Sequence, residues 1–220
     1  NQKDFLNRLW RNIKEQIKPD VGVLPRLEKD QGRILLYLDG EEPEKYYNAL
    51  DHVFGISSYS PVLRTSLEMS DILDGALKEI VQVMAGRAEA TFRVTIKRPN
   101  KRFPLSSMEL ATEVANHIYD HVPGLTVDLK HAQIDLKVEV RDECAYITTQ
   151  KRPGLGGLPL GTGGRGMLLL SGGIDSPVAG WAMMRRGMTV EAIHFHSYPY
   201  TSEMAKEKVL TLAEQMAKYS

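Results

Sequence analysis

The amino-acid sequence predicts an α+β amino-terminal part followed by the start of a parallel, doubly wound α/β domain. Three observations carry this. Met167 to Leu170 form a short apolar run suited to a strand buried on both faces, followed by Ser171-Gly172-Gly173 and a helical pattern. A second strand–helix pair follows, Val190–His196 and Thr201–Lys218, and such alternation marks a parallel doubly wound sheet. Before residue 150, by contrast, strands alternate apolar and polar positions, as half-buried strands of α+β units do.

From the amino terminus, Phe5, Leu6, Leu9, Trp10, Ile13 and Ile17 recur at helical spacing, and Pro19 is expected to end the helix. Strands are expected around Gly22–Glu28 and Arg33–Leu38, joined by a Lys29-Asp30-Gln31-Gly32 turn. A helix from Pro43 to about Val53 and an extended Ile56–Leu63 follow. This αββαβ order is one strand short of a ferredoxin-like βαββαβ unit. An unrelated small α+β unit fits the same order.

Next comes a helix over Asp71–Met84 with Ile72, Leu73, Ala76, Leu77, Ile80 and Met84 inward. Phe92, Val94 and Ile96 then alternate with Arg93, Thr95 and Lys97 in a strand. Ser106 and Glu109 make a capping box for a helix through Leu110, Ala111, Val114 and Ile118. Three further strands are expected, at 125–129, 136–140 and 145–149. Arg152–Gly166 is a linker by its glycine and proline content. The expected division is therefore 1–63, 64–150, a linker at 151–166, and 167–220. Two strands cannot cover a sheet, and the chain opens at Asn1 within a helical pattern, so a fragment of a longer protein is expected.

Lys+Arg and Asp+Glu both number 28, so any nucleic-acid surface must be a local patch. A single cysteine, Cys144, excludes an internal disulfide and suits a reducing, cytoplasmic setting. It stands beside Asp142 and Glu143, a poor setting for a persulfide, and is read as structural. No apolar run reaches membrane-spanning length. Arg93, Lys97, Arg98, Lys101 and Arg102 fall within ten residues that contain no acid. Strand periodicity puts Arg93 and Lys97 on the exposed face, and Pro99-Asn100 is expected to turn the other three outward. A phosphate backbone rewards such clustering through counterion release, and Phe103 could stack on a base. From the charges alone, a solvated strand end fits equally well.

At the glycine turn, absent Cβ atoms let backbone N–H groups approach a phosphate, and Asp175-Ser176-Pro177 reads as a capped helix start. The helix would run through Val178, Trp181, Met184 and Arg185 and stop at Gly187. Strand, turn and helix N-terminus together make an anion site. No Gly-Lys-Ser/Thr follows, so this is not a Walker A loop. His194 and His196 flank Phe195 and would share one strand face. Without further ligands nearby, no metal site is expected, and a nucleotide-crevice lining or hydrogen-bonded core histidines both fit.

The six residues Ser171-Gly-Gly-Ile-Asp-Ser176 match the PP-loop signature of enzymes that cleave ATP to AMP and pyrophosphate. Val94-Thr-Ile-Lys-Arg-Pro-Asn-Lys-Arg-Phe-Pro-Leu-Ser-Ser107 resembles the THUMP domain of RNA-modifying enzymes. With the ferredoxin-like unit, the Gly-Gly-Leu-Pro stretch and Glu191–Glu203, the whole chain resembles the tRNA 4-thiouridine synthases, or tRNA sulfurtransferases. The resemblance implies ATP-dependent replacement of the uracil O4 by sulfur at tRNA position eight. It implies a cysteine desulfurase as sulfur donor, a possible homodimer and, in some members, a role in thiamine thiazole formation. By the same likeness, Ser171, Gly172, Gly173 and Ser176 would hold the pyrophosphate, and Asp175 would serve adenylation, with Mg²⁺. Leu169, Leu170, His194 and Phe195 would line the adenine and ribose. The family's sulfur-relay cysteines would lie beyond Ser220, so the fragment is expected to be inactive alone. A non-catalytic tRNA-binding module, or another PP-loop RNA-modifying ligase, is the alternative.

Overall fold

The computed structural model describes residues 2–22, 24–30, 32–197, 200 and 202–220. In chain order the elements begin with α1 (Gln2–Val21), β1 (Leu27–Asp30), β2 (Arg33–Leu36), α2 (Glu44–Asp51) and β3 (Ser58–Tyr59). Then come β4 (Leu63–Thr65), α3 (Met69–Met84), β5 (Ala90–Lys97), α4 (Ser107–His121), β6 (Leu125–Val127), β7 (Ile134–Val140) and β8 (Ala145–Thr148). Last are β9 (Arg152–Pro153), β10 (Arg165–Leu169), α5 (Asp175–Arg185), β11 (Thr189–Ile193) and α6 (Glu203–Ala217). The chain folds as two compact units, residues 60–152 and residues 1–59 with 153–220.

In the unit of residues 60–152, five strands lie in the order β4-β8-β7-β5-β6. β5 runs parallel to both β6 and β7, and β8 runs antiparallel to β4 and β7. Strand alternation supplies one apolar face: Phe92, Leu136, Val138 and Ile147 are buried there with Ile72, Ala76 and Ile80 of α3 and Leu110, Val114 and Ile118 of α4. Each large side chain so enclosed contributes about 1.5–3 kcal/mol. The capping box at α4 forms as the sequence predicts. Ser106 Oγ accepts from the Glu109 N–H at 3.2 Å, and Glu109 Oε2 accepts from the Ser106 N–H at 2.7 Å.

In the other unit, Leu9, Ile13 and Ile17 of α1 pack on Tyr46 and Ala49 of α2, with Leu27, Ile34 and Leu36 of the β1–β2 hairpin partly buried against them. The α1-β1-β2-α2 order is that of a ferredoxin-like unit, and β3 lies outside the β1–β2 sheet. β10 and β11 pair in parallel, from Arg165 opposite Thr189 to Leu169 opposite Ile193. α5 lies close to this pair at Gly180, where a Cβ would stand 2.6 Å from Leu168 Cδ2 and 2.4 Å from Met216 Cε of α6. Phe54, buried, packs its ring on Trp181 of α5 and on Tyr219, with centroids 5.6 Å away in both cases.

Several local expectations change. Pro19 does not end α1, which runs on to Val21: its fixed φ suits a helix, and only the turn between Pro19 and Val21 follows the bond its missing N–H forgoes. The stop is Gly22, at φ 77, whose N–H donates to Lys18 O. β1 begins at Leu27 rather than Gly22, and Lys29 and Asp30 belong to it, with Asp30 paired to Arg33. Val23 and Gln31 of those predicted segments, and Thr201 at the predicted start of the last helix, lie outside the described residues.

The glycine-rich stretch 152–166 is hydrogen-bonded on two sides rather than slack. Gly154 and Gly156 donate to Ser57 O and Ile56 O, and the Gly55 N–H donates to Gly156 O. Leu158 donates to Arg185 O, and Gly161 and Gly163 both donate to Gly187 O. At Gly157 a Cβ would lie 2.2 Å from Arg185 O, so this backbone approach requires glycine. The stretch joins residues 55–57 to the carboxyl end of α5.

Candidate functional site

The loop after β10 is organised by two serines. The Ser171 N–H donates to Ser176 Oγ at 3.0 Å, their hydroxyl oxygens are 3.1 Å apart, and the Gly173 N–H reaches Ser171 Oγ at 3.3 Å. Ser176 therefore fastens the loop to the first turn of α5 instead of capping the helix, as the sequence predicts for Asp175-Ser176. The N-cap is Ile174, which offers no side-chain oxygen, so no side chain caps the first N–H groups of α5. Ser171, Gly173 and Asp175 are exposed, with Asp175 in the first helical turn. Two hydroxyls beside a helix N-terminus that no side chain caps together favour a polyanion. Among the described residues no group of three or more His, Cys, Asp or Glu side chains could hold a metal. Asp175 alone suits only a cation, such as Mg²⁺, that brings phosphate oxygens as further ligands.

The histidines do not share a strand face. β11 ends at Ile193, and His194 turns back so that its Nδ1 lies 2.9 Å from Leu170 O. A carbonyl only accepts, so Nδ1 carries a proton and donates it, and Nε2 takes no part in this bond. That Nε2 is buried and unpartnered among the described residues. His196 lies apart from it, with its Nε2 3.8 Å from Glu203 Oε1. Leu169 and Phe195 are 65% and 74% exposed, whereas Leu170 is buried and offers its carbonyl to His194. Leu169 and Phe195 thus leave apolar surface open at this end of the sheet.

The basic segment divides in two. β5 lies in register with β7, placing Asp135 opposite Arg93 and Glu139 opposite Lys97. Arg93 Nη2 sits 3.0 Å from Asp135 Oδ2, and Lys97 Nζ sits 3.9 Å from Glu139 Oε2. Burial pushes the Asp135 carboxyl up, but hydrogen bonds from Arg93 and Thr95 and the nearby Lys137 charge together hold it below the usual carboxylate range. Arg98 does not turn outward: it is half-buried and donates to Phe103 O at 2.9 Å. Phe103 is itself in the core, so it does not stack on a base. Lys101 and Arg102 are exposed, with side chains in no ion pair among the described residues.

Three family models match the chain in sequence: the ThiI ferredoxin-like domain over residues 1–60, the THUMP domain over 67–150, and thiamine biosynthesis protein (ThiI) over 161–220. Among solved structures the chain is similar to a 4-thiouridine synthetase crystallised as an RNA complex with bound ATP, at 34% identity and a TM-score of 0.87. The match covers 99% of this chain and 54% of that one. PH1313 from Pyrococcus horikoshii Ot3 matches at 31% identity and a TM-score of 0.88, over all of this chain and 70% of the other. The chain belongs to the ThiI family. It spans about half the length of the 4-thiouridine synthetase, 54%.

Two features of this ThiI chain escape sequence reading. The tie from His194 to Leu170 spans 24 residues, and no local pattern announces it. Lys208 and Val209 of α6 lie beside Gly172 of the loop. Helical periodicity marks Val209 as inward-facing, but nothing in it says which loop α6 meets.

Proposed function

We propose that this chain carries the RNA-binding and ATP-binding parts of an ATP-dependent tRNA uracil 4-sulfurtransferase. The observation that carries the reading is one chain uniting the ThiI-type ferredoxin-like, THUMP and ThiI segments with an open serine-clasped loop at a helix N-terminus. Residues 1–63 and 64–150 would hold tRNA, 151–166 would connect them to the loop, and 167–220 would begin the adenylation domain.

A uracil carbonyl oxygen is a poor leaving group, which is why ATP is needed. In the proposed reaction O4 of the uridine at tRNA position eight attacks the α-phosphorus. The bond to the β-phosphate oxygen breaks, its electron pair leaves with pyrophosphate, and O4 carries AMP. A persulfide sulfur, supplied through a cysteine desulfurase, then attacks C4, and AMP departs with O4. A second thiol attacks the inner persulfide sulfur, so the S–S bond to the transferred sulfur breaks and 4-thiouridine leaves as a disulfide forms. Ser171, Gly172, Gly173 and Ser176 would hold the pyrophosphate through N–H groups and hydroxyls. Asp175 would take Mg²⁺, which when bound supplies charge neutralisation at the phosphates. Leu169, Leu170, His194 and Phe195 would border the nucleoside.

Lys101 and Arg102, with Lys97 on its long stem, would meet RNA phosphates, while Arg93 and Arg98 brace that edge. The same persulfide sulfur would also serve thiazole synthesis, in a reducing cytoplasm. Asp175→Ala in the complete natural protein should abolish pyrophosphate release while leaving tRNA binding nearly intact. Pyrophosphate release at the wild-type rate from that variant would overturn the assignment.

A further inference from the structure

Gly172 is in the loop between Ser171 and Gly173, and α6 runs alongside it at van der Waals distance. A Cβ on Gly172 would lie 3.7 Å from Lys208 Cδ and 3.9 Å from Val209 Cγ2. Val209 is 5% exposed and anchors that turn of α6, whereas the neighbouring Lys208 is exposed. The lysine stem therefore passes over the bare glycine, and its ammonium lies only two bonds beyond Cδ. Among the described residues Lys208 is in no ion pair. The positions three and four residues away on the helix, Met204, Ala205, Thr211 and Leu212, carry no charge that could compensate it. Lys206 differs, because its Nζ is 3.7 Å from Glu203 Oε2.

We propose that Lys208 is the cation that receives the pyrophosphate portion of ATP. This inference rests on the ATP-loop reading above. A Walker A loop carries its own lysine among its glycines, but Ser171-Gly-Gly-Ile-Asp-Ser176 contains no cation and one acid. N–H groups at a helix N-terminus supply about half a positive charge at most. When the bond between the α-phosphorus and the β-phosphate oxygen breaks, the electron pair stays on the departing oxygen and negative charge grows there. Beside the Mg²⁺ that Asp175 would take, a side-chain cation next to the loop stabilises that charge further, and Lys208 supplies it from α6. A lysine suits this role as a compact point charge on a flexible stem.

The test uses the complete natural protein with ATP and unmodified tRNA. Lys208→Gln should lower kcat/KM for ATP, read as pyrophosphate release, by about tenfold to a hundredfold, the range for a hydrogen bond to a charged group. Lys208→Arg should recover most of it, and Lys206→Gln should leave it unchanged. Neither Tm nor tRNA affinity should move, because Lys208 is exposed and packs only its stem. A Lys208→Gln enzyme with wild-type pyrophosphate release overturns the inference, as does a Lys208→Arg variant no better than the glutamine. In either case an inactive Asp175→Ala shows that the loop still binds ATP without the lysine. If Asp175→Ala is also fully active, the ATP-loop reading falls and Lys208 falls with it.

Discussion

His194 Nδ1 lies 2.9 Å from the Leu170 carbonyl oxygen, so a side chain ties β10 to β11 where the backbone ladder stops. Just before it, the Leu170 N–H donates to Ile193 O at 2.8 Å, and the two bonds hold the sheet end on which the loop stands. His194→Ala removes the donor and leaves the carbonyl of a buried residue unpaired, at a cost of about 1–3 kcal/mol. His194→Asn, whose amide can donate in place of Nδ1–H, should retain much of the stability. Thermal melts compare the two; equal losses would show that the ring's packing, not its hydrogen bond, holds the sheet end.

The paired and unpaired cations of the basic edge should behave differently. Lys101→Ala and Arg102→Ala should weaken tRNA binding and reduce its log–log salt slope by roughly one unit per lost contact, with melting unchanged. Arg93→Ala should instead lower the melting temperature, since it takes the nearest cation from the partly buried Asp135 carboxylate and leaves only Thr95 and Lys137 to hold it. A salt titration of tRNA binding beside thermal melts separates these effects. If Lys101→Ala with Arg102→Ala binds normally throughout, the turn is only a solvated strand end.

Acid should destabilise the unit of residues 60–152. Asp135 is held low by Arg93 and Thr95 against its burial, Glu109 by the Ser106 N–H and hydroxyl, and Asp128 by the His131 and Lys130 N–H groups. A carboxyl whose folded pKa is depressed binds fewer protons folded than unfolded, so it stabilises above its unfolded value and loses that contribution as pH falls through the folded one. The loss should therefore begin near pH 4, around the unfolded carboxylate values, and deepen below it. Glu79 works the other way: burial raises its pKa, so its ionisation costs stability at neutral pH and its protonation returns that stability on acidification. Melting temperatures taken from pH 7 to pH 3 should fall at the acid end, and Asp135→Asn should flatten the decline. A decline unaltered in Asp135→Asn would remove that residue from the account.

What the sequence determined by itself lies within a few residues of chain. The capping box at Ser106 and Glu109 spans one helical turn, the apolar faces of α3 and α4 follow helical spacing, and Ser171–Ser176 carries its serines and glycines in a fixed local order. Such features form from neighbours, so their pattern is visible in the string. Periodicity also placed Arg93 and Lys97 on one face of β5, but it could not name what they face. That depends on β7 pairing in parallel with β5 in a register that sets Asp135 and Glu139 opposite them. The same holds for Phe103, whose place in the core depends on the packing around it, for His194 reaching back to Leu170, and for Lys208 over Gly172. Only the tertiary structure decided which charges are paired and which are free, because an ion pair between strands is set by register and packing rather than by distance along the chain.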